Sequence, residues 1–285
     1  MTEPRTDGER YTVRSVARAL GILDELAGAP RDGLGVTDLA EACGLSKSAT
    51  FVLLQTLISA NFVADSGAGQ NRRYRLGMAL TRLGDLAREQ VSLRDLARPI
   101  LQQLATDLRV SVRLGVLEGN RVSMVDRFDA PGGLRIDLRM GKQELLHSTA
   151  VGKALLASRI DKEVKSLLAG EPLVRQTART LVNLPDLLKN LQATRVRGYA
   201  IDDEEDFDGV LCIGAPVHDS AGSAPATLSV TMLKATTPPD RIDRVGKALI
   251  GAAREISVRL GYVAESPPAA VAEGQLARPG RKRKR

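Results

Sequence analysis

The segment LSKSATF gathers small hydroxyl side chains and one cation at the start of a predicted helix. Ser46 is placed to cap the helix, and Lys47, Ser48 and Thr50 follow within its first turn, next to Phe51. Hydroxyl groups bind phosphates and base edges, and the positive end of a helix favours a nearby phosphate. The pattern therefore predicts contact with duplex DNA. The alternative is an N-terminal cap on an ordinary core helix.

A second stretch, HSTAVGK, places hydroxyl residues at the start of another predicted helix. Capping by Ser148 or Thr149 leaves the amides of Ala150 and Val151 free to hold an anion. The stretch is not a phosphate loop, because His and Ala stand where that motif needs Gly and Ser or Thr. The carboxylate of a small organic acid suits such a helix end. A capped helix with nothing bound is the alternative.

Two further groups could carry chemistry. The carboxylates from Asp202 to Asp206 could bind a hard cation, although such a run is typical of a solvated loop. Cys212 lies in an apolar segment, where a small buried hydrophobic side chain is the ordinary interpretation. A pair of Cys212 with His147 lacks a third orienting residue and an oxyanion motif. The sequence therefore predicts no enzyme active site, no cofactor and no metal site.

Three predicted helices position the LSKSATF segment. They run from Ser15 to Ala27, over DLAEAC after a Thr37 cap, and from Ser46 to about Asn61. Gly44 supplies the left-handed residue that a tight turn between helices needs. The spacing of apolar side chains predicts the inward face of the third helix to be Ala49, Val52, Leu53, Thr56 and Leu57. The arrangement is typical of a helix-turn-helix.

The segments FVAD and RRYRL, separated by SGAGQN, predict a hairpin directly after the helix-turn-helix. A winged helix carries its wing at this position. Arg72, Arg73 and Arg75 lie on the predicted wing, where we expect them to hold the DNA backbone. A further amphipathic helix is predicted from Met78 to about Gln90.

The second half of the chain alternates hairpins with helices, which predicts an α+β domain on an antiparallel sheet. The predicted strands are SVRLGVL, RVSMVDRF, LRIDLRM, VLCIGAPV and ATLSVTML. The predicted helices are Leu93 to Leu108, Thr149 to Ser158, Asp161 to Leu168, Asp186 to Arg197 and Asp240 to Leu260. The segment ESPPAAVAEGQLARPGRKRKR has no periodicity and is predicted to be a disordered tail.

Composition narrows the class of protein. The 285 residues suffice for about two domains. The net charge of +7 falls to +1 without six basic residues near the end of the chain, so charge alone does not indicate nucleic acid. Two isolated cysteines fit a reducing cytoplasm. The sequence shows neither an apolar leader nor an apolar span, so we expect no membrane partner. With 3% aromatic residues, a base-stacking platform for single strands is disfavoured.

Five segments together resemble the IclR family of bacterial transcriptional regulators. They are SVARALGILDEL, TDLAEACGLSKSATFVLLQTL, RYRLG, HSTAVGKALLA and RGYAIDDEEDFDGVLCIGAPV. The resemblance implies a winged helix-turn-helix over 11–77, a dimerising linker helix over 78–91 and a GAF-like effector domain over 92–262. It further implies binding to double-stranded operator DNA as a homodimer or a dimer of dimers. The disordered basic tail over 263–285, predicted from its composition, follows these domains.

The resemblance also implies which residues contact an effector. They are Gly133, Ile136, Ala150, Val151, Asp202, Val210, Cys212 and Ser229. Ile136 and Val210 would form an apolar wall, and the polar side chains would contact polar groups of the ligand. The chain departs from the family pattern at Val52, where members often carry Arg, and at Asn61, where Gly is usual. The RKRKR tail lies outside the pattern; it would add salt-sensitive affinity for DNA or be a solvated tail with no role.

These observations predict a DNA-binding transcriptional regulator, more often a repressor in this family, whose operator affinity responds to a small aliphatic or aromatic acid. Two alternatives stay open. One is a small-molecule enzyme with an accessory DNA-binding domain, and the other is a ligand-independent DNA binder that relies on its basic tail.

Overall fold

The structure is a computed structural model that describes residues 12–129 and 143–263. The chain divides into two compact units between Val91 and Ser92. The predicted strand LRIDLRM and the basic tail lie outside the described residues. Within the described ranges, no helix combines the length and the apolar character needed to cross a membrane.

The first unit consists of three helices, a hairpin and a fourth helix. Its elements are α1 Arg14–Ala27, α2 Val36–Ala42, α3 Lys47–Ser59, β1 Val63–Ser66, β2 Arg73–Leu76 and α4 Ala79–Gln90. The core is formed by Ile22, Leu26, Leu39, Leu54, Val63 and Tyr74. Tyr74 exchanges two backbone hydrogen bonds with Leu34, of 2.8 and 3.0 Å, and thereby ties the hairpin to the segment before α2.

Helix starts in this unit test the predicted caps. Ser46 is confirmed, because its hydroxyl accepts from the amide of Ala49. The predicted N-caps Ser15 and Thr37 are wrong. Helix α1 begins one residue before Ser15, and the residue that precedes α2 is Gly35, whose amide donates to the Asp38 carboxylate. The left-handed turn residues are confirmed: φ is +63° at Gly44 and +61° at Asn61.

The second unit contains five helices and six strands among the described residues. Its elements are α5 Leu93–Leu108, β3 Ser111–Glu118, β4 Arg121–Phe128, β5 Gln143–Leu145, α6 Ala150–Ala157, α7 Asp161–Leu167, α8 Leu184–Arg197, β6 Ala200–Asp203, β7 Val210–Val217, β8 Ala226–Leu233 and α9 Pro239–Arg259. The strands form one antiparallel sheet in the order β5-β4-β3-β8-β7-β6. The α+β class is confirmed, and β5 and β6 are strands that the sequence analysis missed.

The central strands of this sheet have one apolar and one polar face. Successive side chains of a strand point to opposite faces. One face packs with α5 and α9 and carries Val112, Leu114, Leu211, Ile213, Leu228 and Val230. The alternate positions carry Arg113, Asp202, Cys212 and Ser229, which turn toward α6. Two layers of helices therefore cover chemically different faces of the same strands.

Two glycines let α6 lie close to its neighbours. A Cβ at Gly214 of β7 would lie 2.4 Å from the carbonyl oxygen of Ala150. A Cβ at Gly152 within α6 would lie 2.3 Å from the Cα of Leu146. Because both clashes are with backbone atoms, no side-chain rotation relieves them. The start of α6 is therefore fixed above the polar face of the sheet.

We expect Gly152→Ala to destabilise the second unit by about 3 kcal/mol or more, because the methyl group forces α6 away from its neighbours. Gly251→Ala is the matched control in α9, where a Cβ meets nothing within 4 Å. It should stabilise the protein by about 0.5–1 kcal/mol through helix propensity. Thermal unfolding of both variants measures the difference. Equal midpoints would contradict the close packing of α6.

Candidate functional site

The exposed side of α3 and its N-cap carry four of the five residues of the LSKSATF segment that are predicted to contact DNA. Ser46, Lys47, Ser48 and Phe51 are exposed. The Ser46 hydroxyl accepts from the amide of Ala49 at 3.2 Å and lies 3.2 Å from the Ser48 hydroxyl. The helix start therefore presents two hydroxyl groups and an ammonium group near its positive end, which is the arrangement that phosphates and base edges favour.

Thr50 does not belong to this exposed surface. Its side chain is fully buried, and its hydroxyl donates to the Ser46 carbonyl at 3.0 Å. Thr50 and Leu54 face the core. Val52 is 63% exposed and Thr56 is also exposed, so the predicted inward face was wrong at both positions. Apolar residues lie on several sides of α3, and the contacts with α1, α2 and the hairpin decide which side is buried. We therefore remove Thr50 from the candidate DNA contacts.

The three wing arginines differ in their partners. Arg72 binds the Asp65 carboxylate at 2.6 Å and lies over the Tyr74 ring, and this hydrogen bond raises the pKa of its guanidinium. Arg73 binds Asp38 of α2 at 3.3 Å. Arg75 is exposed and makes no ion pair within the described ranges. Of the three cations, Arg75 is therefore the one whose charge an approaching phosphate meets without a competing carboxylate.

In the second unit, residues predicted from the effector resemblance converge on one cavity between α6 and the polar face of the sheet. Those that line it are Ala150, Val151, Asp202, Val210, Cys212 and Ser229. They come from α6 and from three different strands. Gly133 and Ile136 lie outside the described residues. The structure thus brings together six side chains that are spread over 80 positions of the sequence.

Five further residues line the cavity and were not predicted: Arg113, Glu144, Thr149, Asp206 and Phe207. Arg113 and Glu144 form a buried ion pair, with 2.9 Å between Nη1 and Oε1. A signal for Arg113 existed, because a lone charged residue between Val112 and Leu114 in a strand must point to the opposite face. Glu144 had no such signal, since its short strand is three residues long.

Two buried polar atoms of the cavity wall have no hydrogen-bond partner among the described residues. They are the Ser229 hydroxyl oxygen and the Arg113 Nε. Ser229 is fully buried and Arg113 is 3% exposed. A buried polar group without a partner costs about 1–3 kcal/mol, and more where it is charged. The wall therefore holds donors that a bound ligand would satisfy.

Asp202 lies in the wall with an unusual protonation state. Its Oδ1 accepts from the amides of Glu205 and Asp206 at 2.8 and 3.2 Å. Burial raises the pKa of Asp202 to about 7, although the buried ammonium group of Lys153 opposes the shift. Lys153 donates to the Glu205 carboxylate and, at 2.5 Å, to the Ile201 carbonyl. The cavity therefore contains a carboxyl group that exchanges its proton near neutral pH.

Cys212 is unsuited to nucleophilic chemistry. Burial raises the pKa of its thiol to about 12, and the thiol donates to the Thr231 hydroxyl. A thiolate is the reactive form of cysteine, so this group is inert near neutral pH. Among the described residues, no cluster of three or more His, Cys, Asp or Glu side chains has the arrangement of a metal site.

The cavity is small in this conformation. Its volume of about 10 Å³ leaves room for about one water molecule. Phe207 stands at its edge and is 48% exposed. Binding of a larger molecule therefore requires the side chains around the cavity to move apart.

Comparison with known proteins matches both units. The family model described as the IclR helix-turn-helix domain matches residues 15–66, and that of the bacterial transcriptional regulator IclR C-terminal domain matches residues 86–258. The chain is 34% identical over 262 residues to the HTH-type transcriptional regulator KdgR of Escherichia coli (strain K12), covering 92% of this chain and 98% of that protein. It is 34% identical over 245 residues to BhcR of Paracoccus denitrificans (strain Pd 1222), covering 86% of each.

A solved structure shares the fold. The crystal structure of the Agobacterium tumefaciens repressor BlcR superposes with a TM-score of 0.70 at 30% sequence identity. The match covers 89% of this chain and 99% of that one. The similarity therefore extends over both units rather than over one motif.

We expect Asp202→Asn to stabilise the second unit at pH 8 but not at pH 4. The raised pKa of Asp202 means that the folded protein binds more protons than the unfolded chain between about pH 4 and pH 7, so wild-type stability falls as pH rises through this range. Asn keeps the Oδ1 acceptor and removes the buried charge. The expected gain at pH 8 is about 1–4 kcal/mol.

Thermal unfolding of the two proteins at both pH values measures this difference. Asp208→Asn, which changes an exposed carboxylate in the same loop, is the control and should behave as wild type at both pH values. A pH-independent difference between Asp202→Asn and wild type would show that Asp202 does not titrate in this range.

Proposed function

The chain belongs to the IclR family of bacterial transcriptional regulators, and on that premise we propose that it is a repressor whose operator affinity is controlled by a small organic acid. The observation that carries the proposal is the buried polar cavity next to the start of α6, with its unpartnered Ser229 hydroxyl and Arg113 Nε. The structurally similar BlcR of Agobacterium tumefaciens is a repressor, and this similarity supports the sign of regulation.

For the domains we propose a winged helix-turn-helix over 11–77, a linker helix over 78–91 and an effector domain over 92–262. The exposed side of α3 enters the major groove with Ser46, Lys47, Ser48 and Phe51, while Arg75 binds the backbone. Arg72 and Arg73 stay candidates for backbone contacts, although each shares its charge with a carboxylate. Phosphate contacts set affinity, and the α3 side chains discriminate between sequences.

We propose that the protein binds its operator as a homodimer. In the first unit, α1 exposes Val16 and Leu20 at 55% and 56%, and α4 exposes Leu83 and Leu86 at 41% and 42%. Contiguous exposed apolar side chains on helices are typical of association surfaces. A two-fold dimer places two α3 helices in successive major grooves of a pseudo-palindromic operator.

The effector acts by preferring one arrangement of the dimer. A ligand shifts an equilibrium only by its difference in affinity for the two states. An acid that binds the second unit more tightly when the protein is off the operator lowers operator affinity by that same factor. Operator affinity and acid affinity are therefore linked.

We expect specific binding to the DNA upstream of the protein's own gene, with a shallower salt dependence than binding to scrambled DNA of the same composition. One or more acids in a panel of small aliphatic and aromatic carboxylates should lower the operator affinity and leave binding to scrambled DNA unchanged. A salt titration by fluorescence anisotropy, with and without each acid, measures both effects. Equal and steeply salt-dependent binding to both DNAs, unaffected by every acid, would contradict the proposal and favour a ligand-independent binder.

A pair of variants tests the orientation of α3. Ser48→Ala should lower operator affinity about 5- to 30-fold, because an exposed hydroxyl contact is worth about 1–2 kcal/mol, and should leave the unfolding midpoint unchanged. Thr50→Ala should lower the midpoint by several degrees, because it removes buried contacts, and should keep the ratio of specific to non-specific affinity. A loss of discrimination on Thr50→Ala with unchanged stability would place α3 in the opposite orientation.

A further inference from the structure

Arg113 and Ser229 form a pair on the polar face of the sheet. They are opposite each other in the register of β3 and β8, so their side chains leave neighbouring points of the same face. Both side chains are buried, and within the described part of the chain neither the Nε of Arg113 nor the hydroxyl of Ser229 has a hydrogen-bond partner. Native proteins satisfy the great majority of buried polar groups, so two unpaired groups side by side point to a ligand.

Glu144 fixes the guanidinium of Arg113 without saturating it. The Glu144 carboxylate accepts a hydrogen bond from Nη1 of Arg113, and a guanidinium has five N–H donors in a fixed planar arrangement. The described hydrogen bond therefore orients the group while Nε stays available. Because the ion pair is neutral as a whole, the buried charge of Arg113 is tolerated before a ligand arrives.

The start of α6 adds donors to the same cavity. The amide of Gly152 donates to the Thr149 hydroxyl, whereas the amides of Ala150 and Val151 donate to no described group. The first amides of a helix favour an anion. The guanidinium, the serine hydroxyl and the helix amides thus line one side of the cavity with groups that donate to a carboxylate.

The other side of the cavity is acidic. Asp202 comes from β6 beside Cys212 of β7, and its described hydrogen bonds use Oδ1, which leaves Oδ2 for a ligand. Asp206 also lines this side. A carboxyl group on this side pairs well with a hydroxyl group of a ligand, whereas an aromatic ring or an alkyl chain would leave the Asp202 Oδ2 atom without a partner.

We propose that Arg113 is a ligand-binding residue and that the ligand is a hydroxylated organic acid, whose carboxylate is bound by Arg113 and Ser229 and whose hydroxyl group is bound by Asp202. Glu144 is a positioning residue that holds the guanidinium. The inference rests on the proposed function in placing the effector in this cavity, and it narrows the effector from acids in general to acids that carry hydroxyl groups.

Matched probes separate the two recognition groups. Glycerate and gluconate carry both a carboxylate and hydroxyls, propanoate and hexanoate lack the hydroxyls, and glycerol and glucitol lack the carboxylate. With the full-length protein in isothermal titration calorimetry, we expect one of the two hydroxy acids to bind. The two matched compounds that each lack one group should bind at least about 10-fold more weakly, as expected for a lost hydrogen bond to a charged group.

A double variant tests Arg113 without leaving an unpaired buried charge. Arg113→Gln/Glu144→Gln removes both charges of the pair, and it should bind the hydroxy acid roughly 10- to 100-fold more weakly than wild type. The matched control is Arg121→Gln/Glu171→Gln, which removes an ion pair of the same unit that does not line the cavity. The control should keep wild-type acid affinity. Circular dichroism and operator binding without acid verify that both double variants fold.

The outcomes separate this inference from the proposed function. If a folded Arg113→Gln/Glu144→Gln variant binds the acid with wild-type affinity, the role of Arg113 is overturned. The proposed function is kept in that case, provided that the acid still shifts operator binding. Stronger binding of hexanoate or propanoate than of the hydroxy acids would overturn the ligand class. A hydroxy acid that binds through Arg113 but leaves operator affinity unchanged would support this inference and overturn the proposed function. Binding of no acid by wild type would overturn both.

Discussion

The alternation of side chains along the strands of the second unit is the constraint from which its core and its cavity both follow. Leu211 and Ile213 enter the core with α5 and α9, so Cys212 between them must face α6. Arg113 is held in the same way between Val112 and Leu114. A register slip of one residue would exchange the two faces, burying charge in the core and exposing leucine to the cavity. The hydrophobic core thereby fixes the polar site with no separate scaffold.

The buried hydroxyl groups on the polar face of the sheet differ in whether they have hydrogen-bond partners. Thr227 donates to the Ala215 carbonyl and Thr231 accepts from the Cys212 thiol, so these buried hydroxyls are satisfied within the protein. Ser229, between them on the same strand face, is not. Of these three hydroxyls on β8, the unsatisfied one is therefore the one that lines the cavity. A ligand that satisfies it stabilises the folded state by mass action, which makes the stability of this unit a measure of occupancy.

The sequence predicted the elements with strong periodicity and clear turns, and it failed where distant contacts decide. The bounds of α5, β4, β7 and β8 were predicted as the structure has them, because each is a regular pattern between turn residues. The predicted buried side of α3 was wrong at Thr50, Val52 and Thr56, because apolar residues lie on several sides of this helix and packing decides which side is buried. Arg113 had a signal in the alternation of its strand, whereas Glu144, which pairs with it from 31 residues further along the chain, had none. The positions Gly133 and Ile136 stay predictions.

The distribution of the cores limits how a ligand can control DNA binding. The core that holds α3 is drawn from residues between Ile22 and Tyr74, whereas the cores around the sheet begin at Ala97. Each unit therefore keeps its own packing, and α3 does not depend on the cavity for its fold. The proposed effector would therefore not control DNA binding by refolding α3. In the proposed dimer, the ligand would therefore act by changing the populations of the arrangements that the two copies of α3 adopt. The size of that effect is bounded by the difference in ligand affinity between those arrangements.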